Sequence, residues 1–181
     1  MPPEILAPVI RRTLRLALNT ARLHHDPVRY FRSCGVEIGD GVEIFGAKPF
    51  TFGSEPYLVS IGNWVTVSHN VDFITHDGAM RIVRGKYSNA YLYGRIQVGD
   101  NCFLGAHSIL LPGAKVGTGS VIGSGSIVTG EIPPGVVAIG APAKPVKTVE
   151  EYIRGKRHLW VDTAGLPANA KRELLVRRLP R

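Results

Sequence analysis

Residues 96–128 read IQVGDNCFLGAHSILLPGAKVGTGSVIGSGSIV, and in them an aliphatic side chain returns at every sixth position: Val98, Leu104, Leu110, Val116, Ile122 and Val128. Glycine follows it at Gly99, Gly105, Gly117 and Gly123. A step of six fits neither the 3.6-residue turn of a helix nor the long alternating runs of a hairpin meander or sandwich. It fits a solenoid in which each hexad is a short strand plus a turn. The aliphatic side chain enters a shared core, and the glycine is expected to supply a backbone conformation that a Cβ disfavours. Cys102, Ala114, Ser120 and Ser126 stand two positions ahead of core residues and so share their inward side. Cys102 is therefore expected to be a packed small residue and not a nucleophile.

Working outward, an earlier block keeps the same step at Ile38 and Ile44 and again at Ile61, Val67 and Phe73. Between Ile44 and Ile61 the step is 17, one short of three hexads, so AKPFTFGSEPY must bend or bulge and offers room for a ligand-facing loop. Between Phe73 and Val98 the step is 25, and ITHDGAMRIVRGKYSNAYLYGR contains no clean hexad. That segment reads as a loop over 77–95 thrown out of the coil. Irregular segments on a rigid scaffold commonly carry binding groups. This one begins at His76 and Asp77 and continues through Arg81, Arg84, Lys86, Tyr87, Tyr91, Tyr93 and Arg95. Aromatic faces beside cations suit a sugar, a phosphate or both.

The chain has 181 residues, with 22 Lys and Arg against 14 Asp and Glu, a net charge of +8. The excess sits at the ends, around Arg11, Arg12, Arg15 and Arg22 and again at Lys171, Arg172, Arg177 and Arg178, and the glycine-rich middle is nearer neutral. Positive charge that flanks the repeats, without a basic stripe interleaved with aromatics, argues against nucleic acid as a partner. Cys34 and Cys102 are far apart and lack CxxC or CxxH spacing, so neither a zinc site nor a disulfide framework is indicated and no metal is expected. Arginines interrupt the apolar residues at the N-terminus, leaving neither a signal-peptide core nor a membrane span. A soluble protein of the reducing cytoplasm is the expectation.

Three segments together resemble the hexapeptide-repeat acyltransferases: SEPYLVSIGNWVTVSHNVDFITHDG, then IQVGDNCFLGAHSILLPGAKVGTGSVIGSGSIVTGEIPPG, then VAIGAPAKPVK, spanning most of 54–147. Within that family the chain is most similar to sugar O-acetyltransferases related to maltose and galactoside acetyltransferase and to those of capsule and lipopolysaccharide synthesis. The resemblance implies an all-β solenoid, a left-handed parallel β-helix with three hexads per turn. It also implies a homotrimer with active sites between subunits, acetyl-coenzyme A as co-substrate and a sugar or glycan acceptor. The family's catalytic histidine precedes a protruding loop, the place His76 holds in THDG. A histidine there suits a general base, because its ordinary pKa of about 6.5 leaves the ring neutral near neutral pH. Asp72, Asp77, Glu55 and a backbone carbonyl stand as acceptors for its second nitrogen, and His76, Asp77 and Asp72 form the expected catalytic set. Coenzyme A is expected along Ala106, His107, Ser124, Thr129, Lys144 and Lys147, with the acceptor near His69, Arg81, Arg84 and Tyr93. The family's VTKDIPPG is here Val128 to Gly135 with Gly130 in place of the lysine.

Acylation of an amino sugar nitrogen would use the same base. A zinc enzyme like the gamma carbonic anhydrases, which share the GAPAK ending, would need His69, His76 and His107 to converge, and their placement does not match that family's spacing. At the ends, Ile5, Ile10, Leu14, Leu18 and Leu23 predict an amphipathic helix over 3–25 that caps the first coil or lies on an anionic membrane surface. TVEEYIRGKRHLW and NAKRELLVRRL predict two short helices joined at AGLP, with Tyr152 and Trp160 packing against the coil or a neighbouring subunit. The expected organisation is a helical cap over 1–32, a β-helix over 33–147 and a helical extension over 148–181.

Overall fold

The computed structural model describes residues 20–179. Short parallel strands stack into three faces. The first contains Glu37–Ile38, Val59–Ile61, Ile96–Val98, Lys115–Val116 and Glu131–Ile132; the second contains Glu43–Ile44, Thr66–Val67, Phe103–Leu104, Val121–Ile122 and Val136–Gly140. The third contains Asp72–Phe73, Ile109–Leu110 and Ile127–Val128. Every hexad residue named above is buried except Ile38, which is partly buried at the lower end, and Leu104, Leu110, Ile122 and Val128 are fully enclosed. Cys102, Ala114, Ser120 and Ser126 share the interior, and burial pushes the Cys102 thiol above its ordinary pKa.

The lower coil departs from the six-residue step because its third side is not a strand. Thr51 and Phe52 occupy that side, with the Phe73 amide donating to the Thr51 carbonyl at 2.8 Å, and the Phe52 ring stacks on Phe73 with centroids 4.5 Å apart. Phe31 closes the column against Phe52, also at 4.5 Å, from the helix Pro27–Ser33. Asp26 starts that helix by accepting from the Arg29 amide, and Pro27 supplies the first-turn dihedral. Residues 20–25 are helical up to this break, and Leu23 is buried. The helix expected over 3–25 otherwise lies outside the described residues. The helix at Pro27–Ser33 is one that the leucine spacing did not predict.

The upper end is closed differently. Glu131–Ile132 follows Val128 after a shortened turn, and Val136–Gly140 pairs antiparallel with Ala143–Thr148. The chain then forms a separate unit over 150–181 that contains a helix, Ala168–Arg178, and most of another, Val149–Lys156. Within the single chain Tyr152 and Trp160 are exposed at 40% and 58%, which leaves their faces open to a neighbouring subunit. No helix among the described residues is long and apolar enough to cross a membrane.

The glycines correct one expectation. Those directly after the core residue do not adopt positive φ; they are needed because the next coil is too close. A Cβ on Gly105 would lie 2.6 Å from the Ile122 carbonyl oxygen, and one on Gly99 would lie 2.7 Å from the Thr118 amide nitrogen. Left-handed backbone belongs to the third turn position, where Gly125 has φ +72° with open space around it, and where Asn70, Asn101 and His107 take the same conformation. Gly125→Asn is expected to cost under about 1 kcal/mol, whereas Gly105→Asn must displace backbone and is expected to cost about 3 kcal/mol. Thermal midpoints at matched protein concentration read the difference, and equal losses would refute the two-class assignment.

Candidate functional site

The step of 25 is accommodated by a single excursion at the edge between the third and first faces. His76–Asp77 pairs antiparallel with Leu92–Tyr93, placing His76 opposite Tyr93. The Gly94 amide donates to the Thr75 carbonyl at 2.9 Å and closes the neck. The loop's tip holds a 3-10 helix, Gly78–Val83. His76 thus stands on a two-strand ribbon whose base is part of the coil, with its side chain 45% exposed.

Beneath it, at the same edge one coil down, sits Glu55. Its Oε2 lies 3.1 Å from His76 Nδ1 and accepts the Thr75 hydroxyl at 2.7 Å, while Ser54 Oγ lies 3.2 Å from the same Nδ1. Thr75 is fully buried and the Glu55 side chain is only 17% exposed, so this carboxylate is shielded on one side and open to the histidine on the other. Burial alone would raise the Glu55 carboxyl, but hydrogen bonds from Thr75, Ser54 and His76 together hold it below the ordinary glutamate value. A carboxylate only accepts, so Nδ1 carries the proton in this pairing and the lone pair falls on Nε2. The two aspartates expected to orient the ring do not do so. Asp77 caps the 3-10 helix by accepting from the Ala79 amide at 2.8 Å, and Asp72 lies on the outward side of its strand.

A family profile described as bacterial transferase hexapeptide, six repeats, matches residues 95–130. Protein CapG of Staphylococcus aureus is 42% identical over 141 residues, which cover 78% of this chain and 80% of CapG. The chain belongs to the hexapeptide-repeat acyltransferase family. Galactoside O-acetyltransferase of Escherichia coli K12 is 33% identical over 137 residues, 76% of this chain and 65% of that enzyme. A hexapeptide-repeat acetyltransferase of Vibrio cholerae, solved in complex with acetyl-coenzyme A, superposes with a TM-score of 0.51 at 21% identity, covering 63% of this chain and 60% of that one. The chain therefore spans less than two thirds of these last two proteins. That likeness carries the fold, a left-handed parallel β-helix.

In this hexapeptide-repeat acyltransferase the remaining expected site residues divide between different edges. His69, Ala106, His107 and Ser124 share the edge between the second and third faces. There the His107 amide donates to the His69 carbonyl at 3.0 Å and the Gly125 amide to the Ala106 carbonyl at 2.8 Å. His69 stacks on Phe45, with centroids 5.9 Å apart, and His107 Nε2 lies 3.5 Å from the Asn70 side-chain nitrogen, Nδ2. Thr129 is exposed on the His76 edge, and Lys144 and Lys147 extend from the terminal antiparallel strand. Within one chain the coenzyme positions therefore do not gather around His76, nor do the three histidines converge. Arg84 and Tyr93 are joined to His76 through the ribbon; Arg81, exposed, is in the 3-10 helix of the loop tip. The spacing did not single out Ser54 or Thr75, and named Glu55 only among alternatives. Aligning Phe52 beneath Phe73 is the signal that would have put Glu55 beneath Thr75 and His76.

Because the Glu55 carboxyl is held low in the fold, its ionisation favours the native state above the unfolded glutamate value. That contribution disappears as pH falls through the lower native value. The stability gap between wild type and Glu55→Gln is thus expected to be constant near neutral pH and to close below the ordinary glutamate range. Denaturant titrations from neutral to acid pH read it, and a gap that widens on acidification would contradict this sign.

Proposed function

We propose that this acyltransferase moves an acetyl group from acetyl-coenzyme A to a hydroxyl of a sugar or glycan precursor, with His76 as general base. The observation that carries the reading is the Glu55–His76 pair at the root of the protruding loop. Glu55 accepts from Nδ1 and leaves Nε2 to take the acceptor's proton; the acceptor oxygen attacks the thioester carbonyl as that proton leaves. A tetrahedral oxyanion forms, met by N–H donors, and collapses as the C–O bond stays and the C–S bond breaks. The proton held by His76 passes to the departing sulfur, giving free thiol and a regenerated base. An amino sugar nitrogen would follow the same course. The acetyl donor is supported by the acetyl-coenzyme A complex of the Vibrio relative, and the acceptor class by the name of the galactoside enzyme.

The division between edges supports the homotrimer that the family resemblance implies. The residues matched to coenzyme A at Ala106, His107 and Ser124 belong to a different edge from His76, so a complete site requires the coenzyme edge of one subunit against the histidine edge of the next. The outward residues support this assembly. On the first face they are Glu37, Ser60, Gln97, Lys115 and Glu131; the second presents Glu43 and Thr66 in its lower coils and Phe103 and Val121 above them, and the third presents Asp72 below Ile109 and Ile127, so the apolar outward residues gather in the upper coils of those two faces. Apolar outward residues on a strand favour burial against another surface. In this arrangement Lys144 and Lys147 are the cations available to the coenzyme phosphates.

Thiol release from acetyl-coenzyme A over a panel of simple sugars, amino sugars and sugar nucleotides tests the reading. His76→Ala is expected to lower kcat by about 10²- to 10⁴-fold, the usual contribution of a positioned general base, with the KM for acetyl-coenzyme A little changed. Acceptor-dependent release that survives this substitution would remove His76 from the chemistry.

A further inference from the structure

The ribbon that holds His76 carries a second feature that catalysis does not use. Residues 91 and 93 fall on one side of the strand by its two-residue alternation, and their rings stack with centroids 6.2 Å apart and planes 14° from parallel. Tyr93 in turn lies 6.2 Å from the His76 ring. At the far end the Arg84 guanidinium sits over Tyr91, 4.2 Å from its centroid, and is fixed there by donation from Nε to the Ala90 carbonyl at 3.2 Å. His76, Tyr93, Tyr91 and Arg84 therefore form one continuous row. Tyr91 and Tyr93 are 59% and 52% exposed, and the terminal nitrogens of Arg84 have no hydrogen-bond partner among the described residues.

Charge narrows what this row suits. From Gly78 to Arg95 the loop contains Arg81, Arg84, Lys86 and Arg95 and no Asp or Glu. Asp77, at its root, is spent on the Ala79 amide. An exposed aromatic pair offers C–H and ring faces to a pyranose, and a guanidinium at the end of the pair is matched to a carboxylate or phosphate.

Taking His76 as the base of the acetyl transfer, we propose that the row Tyr93–Tyr91–Arg84 is the acceptor subsite and selects an anionic sugar. One ring stacks on the tyrosines with a hydroxyl presented to His76, and its carboxylate or phosphate, or that of the adjoining residue, pairs with Arg84.

The test compares three acceptors on one sugar frame, methyl glucoside, glucuronate and glucose 1-phosphate, with wild type, Arg84→Gln and Tyr91→Ala. Wild type is expected to favour at least one charged acceptor over the neutral one by about tenfold in kcat/KM, the scale of one charge-assisted hydrogen bond, and the margin should shrink with added salt. Which charged arm responds separates a uronic acid from a sugar phosphate. Arg84→Gln should remove the margin by lowering kcat/KM for the favoured charged acceptor about tenfold more than for the neutral one, with the KM for acetyl-coenzyme A unchanged. Tyr91→Ala should weaken all three acceptors. Equal use of the neutral sugar by wild type overturns the inference while leaving the transferase reading intact. So does an Arg84 effect confined to the KM for acetyl-coenzyme A, or light scattering that shows either variant breaking the assembly. If no acceptor supports thiol release, it is the transferase reading that fails. Saturation-transfer spectra of glucuronate and glucose 1-phosphate then read the subsite directly: binding lost in Arg84→Gln upholds it, and no binding to wild type refutes it.

Discussion

Each coil of this solenoid is held against the next by backbone hydrogen bonds running along the stack. The Phe103 amide donates to the Ser120 carbonyl at 3.0 Å, Gly105 to Ile122 at 2.8 Å and Ile109 to Ser126 at 2.9 Å. At the corners this spacing leaves no room for a side chain where Gly99, Gly105, Gly117 and Gly123 stand. The same closeness fixes the neck of the excursion: a Cβ on Gly94 would collide with the backbone at Pro112–Gly113, so this end of the ribbon is seated directly on the coil above. The other end is tied by Thr75, whose hydroxyl reaches down to Glu55 in the coil below. A histidine carried on an 18-residue excursion is thereby anchored above and below by neighbouring coils, which is how a loop can hold a reacting group as firmly as a strand does.

The period of six made the core legible, because one inward side chain per hexad is a demand that any coil of this kind imposes on its sequence. The position of the excursion was legible for the same reason: the hexads stop at Phe73 and resume at Val98. The partner of His76 was harder to read. In the regular part, residues that stack are separated by a fixed interval, so Val98 pairs with Val116 and Leu104 with Ile122. In the lower coil the first two sides share one interval, with Ile38 on Ile61 and Ile44 on Val67, but the third side has a shorter one, with Phe52 beneath Phe73. No fixed count could bring Glu55 under His76. Asp72 and Asp77 were attractive because they are near in sequence, but strand alternation turns Asp72 outward and a local turn consumes Asp77.

Glycine was misread for a related reason. Its conformational freedom and its lack of a side chain predict the same residue, and sequence alone does not say which property a corner uses. The coil uses both, at different places: absence of a side chain at the first turn position, and left-handed backbone at the third. His107 occupies the third, so its ring is presented by a backbone conformation that asparagine or glycine holds elsewhere in the same stack.

The hairpin at the upper end has a consequence for how long the coil stack can be. A stack of parallel coils ends in a row of unpaired amides and carbonyls that would accept another coil, whether its own or another chain's. On the second face, Val136–Gly140 meets Ala143–Thr148 running the other way, and a reversed strand does not continue a parallel solenoid. At the opposite end Phe31 lies across Phe52 and covers the core column. Both ends of the coil stack are thereby made unlike its middle, which opposes its continuation by another stack of coils.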